Sequence, residues 1–534
     1  MPEALELLRE GRHRELWQKC CGFIDLDITQ FMNIQRRRLL EQIDLLGRCE
    51  LGKRLMGGGA PWTVEEFRES VPLTTYADYA SSLMERRADV LPEEPYLWQW
   101  TSGRAGESKH QWVPVTRRMY QELGDALLAI LIFATAKDRE DIAFELPVRI
   151  LYGLAPPPYA TGTWGRRAEE ELIFEFLPPP EEAETLGFED TLRRGFKLGL
   201  AKGMDFVFGA GSVLVAAGER FGNSGRGTGF FQLLSEPMAL LRLGTGLLRS
   251  KLARRSLLPR DIWAVKGLAT VSSDLSVYRE RIKEMWGRYP LELYGRTEAS
   301  IIAMQTWDYQ TMTFLPGLNF LEFLPESERF KLAMDPSHRP RTVLLDEVRP
   351  GANYELIITN LLGGPFVRYR IGDVVSIASL RNERLGINLP QMSFVARADS
   401  LIDIAGFTRL TEKTIRRVLE ETNIPYENWI ARKELKQEPV LHLYIELKDG
   451  AAPDEEQMRQ VVHARLKEID SDYAALESML GLRPLHVTVL PSGSFAHHIS
   501  KKKGDGNGPH RSMPPHLNPS DEEVRSLMEL CGSH

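Results

Sequence analysis

The sequence predicts an α/β fold: a large N-terminal part of strands flanked by helices, then a small α+β unit. Three observations carry this expectation. The chain has 534 residues, more than one compact core takes at roughly 100 to 200 residues per domain. Between Asp261 and Asp373 short apolar runs alternate with helical stretches, the pattern of strands joined by helices. After Leu389-Pro390 the text shifts to a strand-like Leu401 to Ile404, a turn at Gly406 and a helix from Thr411 to Glu421. A boundary at Arg397 divides residues 1–397 from 398–534.

From the N-terminus, Asp25 to about Met56 reads as one amphipathic helix, with Phe31, Ile34, Leu39, Leu40, Ile43, Leu45 and Leu46 near helical spacing and Gly57-Gly58 as its stop. Pro72 to Thr116 is turn-rich, and Met119 to Ala136 is helical again. Residues 147 to 260 mix proline runs with helices that are basic on one side, at Arg249, Lys251, Arg254 and Arg255; such a run usually marks a solvated face. Strand-like runs follow at Trp263 to Val265, Leu291 to Tyr294, Leu318 to Leu324, Tyr354 to Thr359 and Val374 to Ile377, with a helix from Leu275 to Trp286. In the C-terminal unit Leu441 to Leu447 and His486 to Leu490 read as strands and Glu455 to Ile469 as a helix. Lys501 to Gly508 reads as a loop.

Composition narrows the function. With 43% apolar and 26% charged residues the chain is an ordinary folded one, and its net charge of −7 argues against a general grip on nucleic acid. Cys20, Cys21, Cys49 and Cys531 sit at no metal-ligand spacing. The start Met-Pro-Glu-Ala-Leu-Glu is acidic where a secretory leader is basic, and the most apolar run, Phe206 to Ala217, is shorter than the ~20 residues a bilayer span takes. Cytoplasmic location, no membrane span and a monomer are the expectations.

Three constellations can carry chemistry. In Trp100-Thr-Ser-Gly-Arg-Ala-Gly-Glu-Ser-Lys109, backbone N–H groups and hydroxyls can face phosphate oxygens, with Lys109 as counter-cation; an ordinary surface turn has the same composition. In Leu293-Tyr294-Gly295-Arg296-Thr297-Glu298, at a strand end where ligands gather, Tyr294 can stack on a purine, Thr297 bond a phosphate and Glu298 hold Mg²⁺. In Phe366-Val367-Arg368-Tyr369-Arg370-Ile371-Gly372-Asp373, Asp373 at a strand end can accept two ribose hydroxyls and Arg368 or Arg370 neutralise phosphate; alternating arginines and aromatics also suit a solvent face.

Taken together, Thr-Ser-Gly-x-x-Gly...Lys, Tyr-Gly-x-Thr-Glu, Tyr-Arg-x-Gly-Asp and an Arg-x-Asp hinge at Arg397-Ala398-Asp399 resemble the adenylate-forming acyl-CoA synthetase and luciferase superfamily. Within it the chain is most similar to the auxin-responsive promoter (Gretchen Hagen) family of acyl-acid amido synthetases, bacterial members above all. Phe31-Met32-Asn33-Ile34-Gln35, Trp112-Val113-Pro114-Val115-Thr116 and the tail Pro514-Pro515-His516-Leu517-Asn518-Pro519 share that resemblance. It implies a large adenylate-forming domain with a β-barrel-like part, a small mobile C-terminal domain, ATP and Mg²⁺ as cofactors, and a carboxylic acid joined to an amine such as an amino acid. Alternatives are an acyl-CoA ligase of the same superfamily or a nucleotide-binding protein without catalysis.

By position, the resemblance assigns the phosphate loop to Thr101, Ser102, Gly103, Gly106 and Lys109. The nucleotide and metal motif falls on Tyr294, Gly295, Thr297 and Glu298, the ribose carboxylate on Asp373, and a phosphate-neutralising cation on Arg370. Met513 stands where related bacterial tails have lysine, so Lys502, with Lys501 and Lys503 or else Arg511, becomes the expected C-terminal cation.

Overall fold

The computed structural model describes the chain apart from residues 1, 101–110, 154–156, 187, 210, 212–213, 216, 220–236, 272–274, 336, 398–400, 405–407, 436–438, 449–453, 481–482, 504–512 and 530–534. Contacts divide the chain between Val395 and Ala396, two residues before the sequence boundary.

The first unit is organised by one sheet of eleven strands. Its parallel half runs β4 (Phe174–Leu177), β3 (Val148–Gly153), β5 (Phe206–Gly209), β6 (Gly267–Val271) and β7 (Leu291–Arg296). From β7 the sheet continues antiparallel into β8 (Ser300–Gln305) and β9 (Met312–Phe314), then β13 (Gln391–Arg397), β12 (Tyr369–Ser379), β11 (Asn353–Asn360) and β10 (Asn319–Pro325). The part expected to be barrel-like is thus the antiparallel half of a continuous sheet with a linear strand order. β7 is the seam, parallel to β6 and antiparallel to β8. A separate hairpin pairs β1 (Leu97–Trp100) with β2 (Trp112–Val115).

Burial follows from side-chain type. The helix Arg117–Thr135 is apolar nearly all round, with Leu123, Leu127, Leu128, Ile130, Leu131 and Phe133 buried, as a helix packed against β6, β7 and β8 requires. Trp263 to Val265 is not a strand; it links the turn of helix Pro259–Ile262 to β6.

The long N-terminal helix is two helices, Ile28–Arg48 and Glu50–Leu55. Asp27 starts the first with a capping box through Gln30. Cys49 breaks the run: its backbone is extended and its sulfur caps the second helix by accepting from the Gly52 N–H. A Cβ at Gly52 would lie 2.1 Å from the Leu46 carbonyl oxygen, so the tight junction depends on that glycine.

The second unit holds a hairpin of β14 (Leu401–Ile404) and β15 (Thr408–Thr411), and a three-stranded sheet of β16 (Tyr426–Leu435), β17 (Pro439–Leu447) and β18 (Leu485–Leu490). The helix Glu412–Glu421 is capped by Thr411, and Glu455–Ile469 makes the crossover between the parallel strands β17 and β18. Met513 packs against the small apolar cluster of Ile430, Tyr444, Leu490, Phe495, Val524 and Leu527, an apolar position for which methionine is suited and lysine is not. The tail then follows β16: His516 stacks on Trp429, and the Ala431 N–H donates to the His516 carbonyl at 2.6 Å. Lys501, Lys502 and Lys503 are not in a loop; they close the helix Ser494–Lys503, where cations complement the helix dipole.

Candidate functional site

The seam strand β7 ends in a tight turn to β8, and the site is built there. A Cβ at Gly295 would meet the Ser300 carbonyl oxygen at 2.4 Å, so the close approach of the strands excludes any other residue. Ser300 itself has φ 55°. Two buried asparagines hold the turn: Asn360 Nδ2 donates to the Glu298 carbonyl at 2.9 Å and Asn319 Nδ2 to that of Ala299 at 2.7 Å. Thr297 and Glu298 lie between them, partly exposed.

The ribose candidate, Asp373, is not at a strand end. It lies inside β12, where pairing with β11 slips between Val374 opposite Glu355 and Arg370 opposite Ile357. Gly372 has φ 75° at that irregularity, and a Cβ there would meet nothing within 4 Å. Asp373 is fully buried, and its carboxylate takes three hydrogen bonds: from Tyr294 Oη at 2.8 Å and from Arg296 Nε and a terminal guanidinium nitrogen at 2.5 Å each. Burial pushes the Tyr294 phenol far up, with Asp373 adding to it. Burial opposes the Arg296 charge, yet the Asp373 carboxylate holds the guanidinium above its ordinary range.

Arg296 is the site residue that the motif reading passed over, because it fills the variable place of Tyr-Gly-x-Thr-Glu. Strand alternation was the signal that could have found it, since residues 294 and 296 share a face of β7.

The segment Thr74 to Tyr76 links the third motif to Trp112. Thr74 accepts from the Arg370 N–H at 2.9 Å and donates its own N–H to the Arg368 carbonyl at 3.0 Å. Two residues on, Tyr76 Oη donates to the Trp112 carbonyl at 3.0 Å, and Trp112 pairs with Trp100 across the hairpin of β1 and β2. Burial raises the Tyr76 phenol and the negative charge of Glu298 raises it further. Trp112, the β7 turn and the β12 irregularity therefore neighbour the same segment within the first unit. Thr101, Ser102, Gly103, Gly106 and Lys109 lie outside the described residues, as do Arg511 and the side chain of Lys502.

The two arginines of the third motif are not a solvent face. Arg368 is buried against Glu322. Arg370 forms a two-point pair with Glu355, both contacts 2.8 Å, and that hydrogen bonding raises its guanidinium against the opposing effect of burial. Arg370 thus meets any ligand already neutralised by a carboxylate.

Among the described residues no group of three or more histidine, cysteine, aspartate or glutamate side chains gathers to hold a metal ion. Glu298 is a hard-oxygen donor, which fits Mg²⁺ where substrate phosphates and water complete the octahedron.

Models of the GH3 family match the chain over three stretches: its N-terminal domain at residues 21–143, its central domain at 312–397 and its C-terminal domain at 410–508. The chain belongs to the GH3 family. Among curated relatives, jasmonoyl-L-amino acid synthetase GH3.5 of Oryza sativa subsp. japonica is 25% identical over 49% of this chain and 47% of its own length. Indole-3-acetic acid-amido synthetase GH3.3 of Arabidopsis thaliana is 25% identical over 34% of this chain and 30% of its own. The chain therefore spans at most about half the length of these relatives in alignment. Solved structures extend the likeness in fold: the AtGH3.15 acyl acid amido synthetase in complex with 2,4-DB superposes with TM-score 0.62 at 15% identity, over 95% of each chain. 2-Hydroxyisobutyryl-CoA ligase in its postadenylation state gives 0.57 at 15% identity, over 95% of this chain and 93% of that one. This GH3 chain has the adenylate-forming fold, and no helix among its described residues is long and apolar enough to cross a membrane.

Proposed function

We propose that this GH3 chain uses ATP to activate a carboxylic acid as an acyl-adenylate and then passes the acyl group to an amine such as an amino acid. The observation that supports this reading is that the second and third motifs meet at Asp373, which Tyr294 and Arg296 both hold, in a family whose curated relatives are named as an amino acid synthetase and an amido synthetase. In the first half-reaction the acid's carboxylate oxygen forms a bond to the α-phosphorus while the bond to pyrophosphate breaks. In the second the amine attacks the acyl carbon and AMP leaves.

The chain's part is binding and charge control. Asp373 can accept ribose hydroxyls in exchange for the N–H donors of Arg296, which frees that guanidinium for phosphate; Tyr294 lies beside it for the base. Glu298 would hold Mg²⁺, which when bound neutralises phosphate charge that would repel the incoming carboxylate. Loop 101–110 would supply backbone donors to the phosphates, and the delivered cation would come from Lys502 and its neighbours or from Arg511.

The test is pyrophosphate release from ATP with a panel of carboxylic acids, with hydroxylamine as a general acceptor. Acid-dependent release with hydroxamate formation is expected, and amino acids should replace hydroxylamine. A requirement for coenzyme A instead would assign a ligase forming thioesters, and no release with any acid would leave nucleotide binding alone.

A further inference from the structure

The helix Pro237–Leu252 packs against the protein through small and mid-sized residues: Ala239, Leu243, Gly246 and Ser250 are its buried stripe. Its larger side chains point the other way. Met238, Leu240, Leu241, Leu247, Leu248 and Leu252 are 42% to 78% exposed, so one helix of 16 residues gathers the densest exposed apolar surface among the described residues. Met238, Leu241, Leu248 and Leu252, with Thr245 between, recur every three or four positions and form a continuous outer stripe, and Leu240 and Leu247 widen it.

The charge around this stripe has one sign. From Pro237 to Arg260 there are six arginines and lysines and no acidic residue, in a chain whose net charge is −7. Some of these cations serve the fold. Arg242 donates to the carbonyls of Leu200 and Ala201 at 2.6 Å, Arg249 to that of Asp261 at 3.0 Å, and Arg255 pairs with the Asp261 carboxylate at 2.7 Å. Lys251 and Arg254 are exposed at the end of the helix, and no acidic partner meets them among the described residues.

We propose that this helix lies on an anionic lipid bilayer, its leucine stripe in the headgroup boundary and Lys251 and Arg254 against lipid phosphates. Broad apolar exposure on one helix face with cations at its rim is the composition of an interfacial helix. Pairing with the same helix of a second copy would bury the leucines but offers Lys251 and Arg254 no acidic partner from Pro237 to Arg260. The inference is independent of the catalytic reading.

The full chain is sedimented with vesicles of phosphatidylcholine alone and of phosphatidylcholine mixed equally with phosphatidylglycerol. The bound fraction on the anionic vesicles should be at least about tenfold higher at low salt and should fall severalfold near 0.5 M salt, where screening is about complete. Leu241→Glu with Leu248→Glu should abolish binding without changing the melting transition, and Lys251→Glu with Arg254→Glu should weaken it severalfold. Equal binding to neutral vesicles, no binding, or wild-type binding by the leucine variant each overturns the proposal. A concentration-dependent dimer that the leucine variant abolishes, with no vesicle binding, gives the face to a second copy.

Discussion

Arg368 with Glu322 and Arg296 with Asp373 are two pairs of like chemistry in one unit, each with a fully buried carboxylate. Their surroundings differ. Arg368 spends all five N–H groups: two on the Glu322 oxygens, two on the carbonyls of Arg68 and Val71, and one on the Thr342 hydroxyl. Among the described residues Arg296 spends two, both on Asp373, and its side chain is 28% exposed where that of Arg368 is 4%. A saturated guanidinium has nothing left to offer a ligand, and its role is to join Arg68, Val71, Thr342 and Glu322. An unsaturated one at the rim of a buried carboxylate can exchange partners, as a binding site requires.

The largest expected effect lies at the saturated pair. Arg368→Leu leaves Glu322 buried with the Thr342 hydroxyl and, at 3.9 Å, the Arg68 guanidinium to answer its charge, so the loss should lie near the low end of what breaking a buried pair costs, about 3 kcal/mol. Urea unfolding should show that loss, and Glu322→Leu added to Arg368→Leu should recover much of it. A loss below about 1 kcal/mol would put the two pairs on the same footing.

At the unsaturated pair the expectation moves from folding to binding. Asp373→Asn keeps the shape, removes the anion, and leaves an Arg296 that water can reach, so unfolding should shift by about 1 to 2 kcal/mol. Nucleotide affinity measured by calorimetry should fall at least about tenfold, since each hydrogen bond to a charged acceptor contributes about 1.5 to 3 kcal/mol. Unchanged ATP affinity would falsify the ribose assignment and make Asp373 a second structural staple. Glu298→Gln is the next test: its turn is held through the backbone carbonyl by Asn360, so the fold should not respond. Pyrophosphate release at low Mg²⁺ should slow by at least about tenfold, because an amide oxygen is a poorer donor to a hard cation; an unchanged rate would leave Glu298 a turn residue.

What the sequence revealed of this comparison, and what it hid, has a physical pattern. Short apolar runs marked β7, β10 and β11 because most of their positions, taken together, are buried, and the glutamates that β10 and β11 also bury, Glu322 and Glu355, are paired with Arg368 and Arg370. The pair Gly372-Asp373 singled out the aspartate, although it lies inside β12 and not at the strand end expected for it. The partners of that aspartate were not legible, because Arg296 reaches Asp373 across 77 residues of chain and no local spacing reports such a contact. Arg368 was equally opaque, since its acceptors come from Arg68 with Val71, from Glu322 and from Thr342, three separate segments. The break at Cys49 was invisible because the apolar period runs straight through it, and the strand β16 because its alternation includes Glu427, Arg432 and Lys433.

A third carboxylate on the seam strand extends the comparison to a case with no bonded arginine. Glu292, on β7, has Gln305 Nε2 at 3.5 Å from one oxygen, and Arg279 acts on it only through space. Burial pushes its carboxyl up to about 7, with Arg279 opposing. The sign follows from the proton balance. Between its unfolded value of 4.5 and about 7 the folded chain keeps a proton that the unfolded chain has lost, so stability falls as pH rises through that window and then levels. Glu292→Gln fixes the neutral form. It should therefore match the wild type near pH 4 and be more stable near pH 8, by about 1 to 2 kcal/mol once partial solvent access is discounted from the full linkage value. Urea midpoints of both proteins across that range decide the matter. A difference that does not change with pH would mean that Glu292 finds enough compensation to ionise normally, leaving Asp373 and Glu322 no different from it in how the fold holds a buried charge.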